Sequence, residues 1–332
     1  MNNNIQDRRR FIAMLGILSL STALPKDVFA KSGAAPLTFG AQNTSWGAVA
    51  MVAEAEKTFK KAGANVTAFQ FDSGKAVRDA MIAGRIDIGV LGTTPMIIGV
   101  AKGNMQPLAM AMYAGKTDAI VVRKGSGIKS IADLKGKKVA SQLGSSTDHV
   151  FQDKIMPKFG LVKGDVQIVN VKFTDQVAAL IAGSVDAFAG VEPYPSVAEI
   201  DGIGVVLLDY SKFDILPVWV AINRPVLEKN PQQVTAFLRG WLAAVQIFKD
   251  TPDEVTNIIL KHFTDQGYHI SKSTIQLMLS KLDVNPNYVP GLKKYLYEQS
   301  KVMQQQKQIH TIPDWDKILD PKYLQLAKKT QS

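Results

Sequence analysis

Residues 80–95 read AMIAGRIDIGVLGTTP, and residues 179–195 read ALIAGSVDAFAGVEPYP. Gly84 aligns with Gly183 and Asp87 with Asp186, at one constant offset. Each copy specifies the same local programme. A helix ends on glycine, a good C-terminal cap. A short turn leads into a nearly continuous apolar strand, the pattern of a strand buried on both faces of a parallel sheet. A Gly/Pro-rich loop then opens another helix; in the first copy Thr94 is placed as N-cap and Pro95 at the first helical position. The aspartate of each copy is expected to fix its turn by hydrogen bonds to nearby backbone. One unit written twice predicts two similar lobes.

Working outward, residues 36–42 (PLTFGAQ) alternate like a first strand, and 65–71 (NVTAFQF) form a second, dominated by β-branched and aromatic residues. Strands alternate with helical stretches at the spacing of βαβ units, which implies parallel sheets. The cycle restarts beyond residue 105 and runs to the strand PVWVAIN at 217–223, after which the pattern is mainly helical. The fold class is therefore α/β, with each lobe a mostly parallel sheet flanked by helices. Ligands of open α/β sheets sit at the carboxyl edge of the strands. Two such edges facing one another make a cleft.

The N-terminus belongs to a different programme. Arg8, Arg9 and Arg10 precede an apolar run from Phe11 to Leu24, and Val28-Phe29-Ala30 offers a cleavage site. That run is too short for a bilayer, which needs about 20 residues, so residues 1–30 are expected to be an export signal. Arg8-Arg9-Arg10-Phe11-Ile12 resembles the twin-arginine export motif, with Asp7 where that motif usually has Ser or Thr. The 39 Lys/Arg and 29 Asp/Glu give a net charge of +10. Removing Arg8, Arg9, Arg10 and Lys26 with Asp7 and Asp27 leaves +8. No basic run with interleaved aromatics accompanies this charge, so nucleic acid is not an expected partner. There is no cysteine, which excludes disulfide stapling, thiol catalysis and attachment of a lipoprotein lipid.

No catalytic or metal-binding constellation emerges. His149, His262, His269 and His310 lack the i, i+4 spacing of a helical metal pair, and His149 is expected at a partly exposed surface. No cofactor motif occurs. What recurs is a small polar group at a helix start beside a strand end. Four places fit: Asn43-Thr44-Ser45-Trp46, Asp72-Ser73-Gly74, Gly92-Thr93-Thr94-Pro95 and Gly144-Ser145-Ser146-Thr147. Free backbone N–H groups and the helix dipole favour an anion there, and hydroxyls add neutral donors. The candidate ligand-binding residues are Thr44, Ser45, Trp46, Ser73, Gly74, Gly92, Thr93, Thr94, Ser145, Ser146, Thr147 and Glu192. Each also has a plain reading as a helix cap or packing residue. Tyr113, Tyr194 and Trp219 are secondary candidates, Trp219 chiefly for packing. Lys75, Lys116 and Arg123 are the cations available to a second anionic group.

The phrases FDSG (71–74), AMIAGRIDIGVLGTTP, SIADLKGKKVA (130–140) and GSVDAFAGVEPY (183–194), with VWVAINRPVLEKNPQQVTAFLRGW (218–241) and DWDKILDPKYL (314–324), occur in one order. In that order they resemble the substrate-binding proteins of nitrate/sulfonate/taurine-type ATP-driven importers. The resemblance implies a two-lobed periplasmic-binding-protein fold of type II, with hinge crossings placed near Val122–Lys124 and Pro217–Ala221. Lobe one would comprise 31–122 and 218–332, and lobe two 123–217. It further implies a monomeric periplasmic receptor that closes on a small organic oxyanion and delivers it to a membrane permease and its ATPase. An acidic residue before proline at Glu192 belongs to the same pattern. Two alternatives share the fold. A pyrimidine-synthase-like enzyme would need a cysteine-rich motif that is missing, and a sensor module would need a fused output segment.

Overall fold

The two apolar runs of the repeat become the central strands of two five-stranded sheets. The structure is a computed structural model that describes residues 35–329, so the expected export signal lies outside the described residues. The strands are β1 (Leu37–Gln42), β2 (Val66–Phe71), β3 (Ile88–Gly92), β4 (Met105–Tyr113), β5 (Asp118–Arg123), β6 (Lys138–Ser141), β7 (Gln167–Asn170), β8 (Ala187–Val191), β9 (Gly204–Asp209) and β10 (Pro217–Asn223). The first sheet has the order β2-β1-β3-β10-β4 and the second β7-β6-β8-β5-β9. β3 and β8 are buried along their whole lengths, as continuous apolar strands covered on both faces should be. In each sheet the one antiparallel strand, β10 or β5, lies next to an edge strand and pairs on both sides. Each lobe thus receives that strand directly after the chain arrives from the other lobe.

The equivalence of the two copies extends to detail. Gly84 and Gly183 close their helices at φ 69° and 70°, a left-handed conformation that a side chain would disfavour. The aspartates, however, do not brace their own turns. Asp87 Oδ2 accepts from the Thr38 N–H and hydroxyl, at 2.8 and 2.9 Å. Asp186 Oδ2 accepts from the Lys138 N–H at 2.9 Å. Each carboxylate ties the entry of the repeat's strand to the start of its parallel neighbour, β1 or β6, so its task is strand register.

The chain passes between lobes at residues 114–117 and 210–216, earlier in each case than expected. Val122 and Arg123 lie within β5 in the second sheet, and Pro217–Ala221 lies within β10 in the first. The reason is that both strands read equally well as connectors or as sheet members, and only pairing decides. The two crossings run side by side, with the Ala114 N–H donating to Leu216 O at 2.9 Å. A Cβ on Gly115 would stand 2.6 Å from Asp214 O, so the crossings touch through a residue without a side chain.

After β10 the helical tail does not stay with the first lobe alone, as the expected 218–332 assignment had it. Its helix Pro231–Asp250 packs on the first lobe, where Phe39, Phe59, Phe237 and Trp241 form an aromatic cluster with Phe59 and Phe237 stacked at 4.6 Å. Such pairs contribute about 0.5–1.5 kcal/mol each beyond simple burial. The helix Lys272–Ser280 instead packs on Tyr194–Ile200 of the second lobe. The tail therefore spans both lobes beside the crossings.

Candidate functional site

Three of the four hydroxyl-bearing helix starts meet on the seam between the lobes. From the first lobe come the β1 exit (Thr44, Ser45, Trp46) and the β3 exit (Gly92, Thr93, Thr94). From the second come the β6 exit (Ser145, Ser146, Thr147) and the β8 exit at Glu192. All of these side chains are buried. The contacts across the seam are direct: the Thr94 N–H donates to Ser146 Oγ at 3.0 Å, and the Ser45 N–H donates to Glu192 O at 2.8 Å. The fourth start adjoins the same edge, since a Cβ on Gly74 would lie 3.3 Å from the Gly92 nitrogen. Beside it Lys172 Nζ of the second lobe bonds Asp72 of the first at 2.7 Å.

The hydroxyls divide into spent and available. Thr93 accepts from Trp219 Nε1 and donates to Pro217 O, both at 3.0 Å. Thr147 donates to Asp118 Oδ1. These two threonines fasten the framework, and Trp219 is a fully buried packing residue. Thr44, Ser73 and Ser145 accept from the backbone N–H groups of Trp46, Ala76 and Asp148 as N-caps. A capping hydroxyl that only accepts keeps its proton to donate, as does Ser146. Ser45 Oγ is buried without a partner among the described residues. The seam thus presents up to five hydroxyl protons, from Thr44, Ser45, Ser73, Ser145 and Ser146, together with the Thr94 hydroxyl.

Glu192 sits differently from an open ligand contact. Its Oε1 accepts from Lys281 Nζ at 2.6 Å, and its Oε2 from the Ser196 N–H at 3.2 Å. Both carboxylate oxygens are engaged, one capping the following helix and one clasping the tail. Burial raises its pKa, and the Lys281 ammonium pulls it back down. Trp46 likewise spends its indole N–H, which reaches Thr117 Oγ1 and Asp118 Oδ2 at 3.3 Å. Its ring edge lies against Gly92, where a Cβ would be 2.6 Å from Cζ3.

Asp118, the first residue of β5, is the central group that the sequence did not single out. It is wholly buried, and burial pushes its pKa up to about 8. Bonds from Thr147, Thr117 and Trp46 offset part of that rise, while the Glu192 charge adds to it. Beside it Tyr210 is buried with an unpartnered hydroxyl, and burial carries its pKa well above the ordinary range. A polar residue opening an apolar strand, TDAIVV, was the only available signal.

Other candidates lie elsewhere. Arg123, at the opposite end of β5, approaches Asp186 at 3.6 Å and is remote from the seam in its strand. Lys116 lies by the crossings, where it lines a depression with Gly115 and Asp214. Tyr113 is held by the tail, donating to Asn287 O at 2.7 Å. Tyr194 reaches across to Asn43 O at 3.5 Å. His149 contradicts its expected exposure: its side chain is 5% exposed, with Nδ1 2.7 Å from Asp153 Oδ2. It lies within the continuously buried run Ser145–Val150. Among the described residues no group of His, Asp or Glu could hold a metal ion.

A family model described as the NMT1-like family matches residues 30–260. The chain belongs to the NMT1-like family. A protein of Escherichia coli (strain K12) named for binding aliphatic sulfonates is 33% identical to this NMT1-like chain over 240 residues, 70% of each chain. The taurine-binding periplasmic protein of the same organism is 33% identical over 213 residues, covering 61% of this chain and 64% of its own. The crystal structure of the periplasmic aliphatic sulphonate-binding protein of Escherichia coli superposes with a TM-score of 0.73 at 23% identity, covering 85% of this chain and 91% of that one. The fold of this NMT1-like protein is therefore the two-lobed periplasmic-binding-protein fold. Among its described residues no helix is long and apolar enough to cross a membrane.

Proposed function

We propose that this protein is the solute-binding receptor of an ATP-driven importer, and that it captures a small organic oxyanion between its lobes in the periplasm. The observation that carries the reading is the convergence of buried, proton-bearing hydroxyls from both lobes on one seam. Ser45, Thr94, Ser145 and Ser146 are the donors that the reading assigns to the ligand, with Thr44 and Ser73 behind them. Neutral donors hold an oxyanion without neutralising it, which suits a receptor that must release its cargo to a permease and ATPase. Gly92 and Gly74 keep the strand ends close enough for backbone to approach the ligand. Thr93, Thr147, Trp46 and Glu192 position those donors. The names of the relatives support sulfonates, with taurine among them, as the first class to try, and a receptor in preference to an enzyme.

A thermal-shift screen of the protein from residue 31 tests this reading, using taurine, linear alkanesulfonates, nitrate and benzoate. A ligand that binds only the native state raises its stability by mass action, by about 2.7 kcal/mol at a hundredfold excess over Kd. The expected result is a rise with one or more sulfonates, confirmed by calorimetry. No shift with any of these oxyanions would overturn it.

A further inference from the structure

On one flank the seam opens into a groove of about 590 Å³ that both lobes line. Lys75, Arg78 and Thr94 face it from the first lobe, and Ser145, His149 and Lys163 from the second. Its charge is unlike that of the seam. Lys75 and Lys163 have no ion-pair partner within 4.0 Å among the described residues, and Lys163 feels Asp153 only at longer range. Lys75 already leans over the other lobe, because a Cβ on Gly144 would lie 3.7 Å from its Cδ. Arg78 is engaged by Asp79 at 2.6 Å.

The acids of the groove are consumed locally. Asp148 accepts from the Ser141 hydroxyl, Gln152 Nε2 and the Gly144 N–H. Asp153 holds His149 Nδ1, which leaves Nε2 buried and without a partner. A π-helical turn, Phe151–Ile155, follows directly, an irregularity that occurs often at functional sites. A positive surplus, a bare buried imidazole nitrogen and a cavity thus adjoin the hydroxyl-lined seam through Thr94 and Ser145, which face both.

We propose that this groove is the subsite for a second acidic group on the solute, so that the preferred ligand is an organic dianion. This rests on the receptor reading above. The seam hydroxyls take one oxyanion, a sulfonate, and Lys75, Lys163 and His149 take a carboxylate at the other end. Because Lys75 and Lys163 come from different lobes, the second anion also bridges them.

Calorimetry with two matched probes tests it: propane-1-sulfonate, a monoanion, and 3-sulfopropanoate, with 4-sulfobutanoate as a longer homologue. The expected result is that one sulfocarboxylate binds about tenfold or more tighter than the alkanesulfonate, the scale of one charge-assisted contact. In Lys75→Gln/Lys163→Gln that advantage falls to near unity while propane-1-sulfonate binds as before. Both lysines are exposed, so folding is not at stake, and His149→Gln with a melting curve gives a second, independent loss of the ratio. Equal binding of all probes by the parent, or an unchanged ratio in the double variant, overturns the dianion subsite and leaves the receptor intact. Failure of every sulfonate to bind overturns both.

Discussion

Gly92 is the seam position with the least room, and it yields the sharpest prediction. Its φ of −72° suits any residue, so alanine there meets only a steric obstacle. The added Cβ would stand 2.4 Å from Ser146 Oγ and 2.6 Å from Trp46 Cζ3, where ordinary contact begins at 3.4 Å. Neither neighbour is free to retreat. Ser146 Oγ is held by the Thr94 N–H at 3.0 Å, and the indole by Thr117 and Asp118 at 3.3 Å. Overpacking of this kind costs about 1–3 kcal/mol. The Ser146 clash falls on lobe apposition, because rotation at the two crossings can relieve it, whereas the Trp46 clash lies within the first lobe and is not relieved that way. A ligand that needs the lobes together must then overcome that cost, so Gly92→Ala should weaken binding by about tenfold to a hundredfold.

Gly89→Ala is the matched control. Its Cβ would lie 2.4 Å from Val77 Cγ1 and 2.7 Å from Met81 Sδ, both inside the first lobe. No hinge relieves that clash, so the cost should appear in melting, at about 2–4 °C per kcal/mol for a chain of this size. The assays are calorimetry with the sulfonate found by screening, small-angle scattering for radius of gyration, and thermal melts. Gly92→Ala should expand the molecule and weaken binding, with some loss of melting temperature from the Trp46 clash, whereas Gly89→Ala should lower melting and leave scattering and binding as in the parent. If Gly92→Ala binds and scatters like the parent but melts lower, the clash is absorbed within one lobe and the seam is not where closure is decided.

Three further predictions concern the groups around the seam. Ser146→Ala removes the acceptor of the Thr94 N–H; a buried donor left bare costs about 1–3 kcal/mol, and calorimetry should show binding weakened about tenfold or more, with the melting temperature nearly unchanged. Lys281→Met leaves the Glu192 carboxylate buried and unpaired, a change worth about 3–5 kcal/mol; urea titration should show that loss, and Lys281→Met/Glu192→Gln should recover much of it. Asp118 has a folded pKa raised from 3.8 to about 8, so the folded protein holds this proton more tightly than the unfolded chain. Its stabilising share is full below pH 3.8 and is lost as pH rises through about 8. Melting curves across that window should flatten in Asp118→Asn relative to the parent, and an unchanged slope would show that the raised Glu54 and Glu192 carboxyls account for it.

The sequence made the architecture legible because the repeat carries strong local signals. Gly84 and Gly183 must close helices, and Ile88–Gly92 and Ala187–Val191 are too apolar to lie anywhere but mid-sheet. Pairing across distance left no such mark. β5 and β10 are apolar strands whose sheet is chosen by neighbours far along the chain, so the crossings were placed too late. The same limit governs the site. A hydroxyl at a helix start is visible in sequence, but whether its proton is spent depends on a remote partner: Trp219 and Pro217 for Thr93, Asp118 for Thr147, Lys281 for Glu192. Asp118 was illegible for the converse reason, since a single acid before a strand looks like a surface residue until two lobes bury it. His149 was misjudged in the same way, its helix being covered by groups from the other lobe and the tail. What makes these residues candidates for function is the apposition of the lobes, and a property of apposition is best tested at the seam itself, where one methyl on Gly92 meets Ser146 of the other lobe.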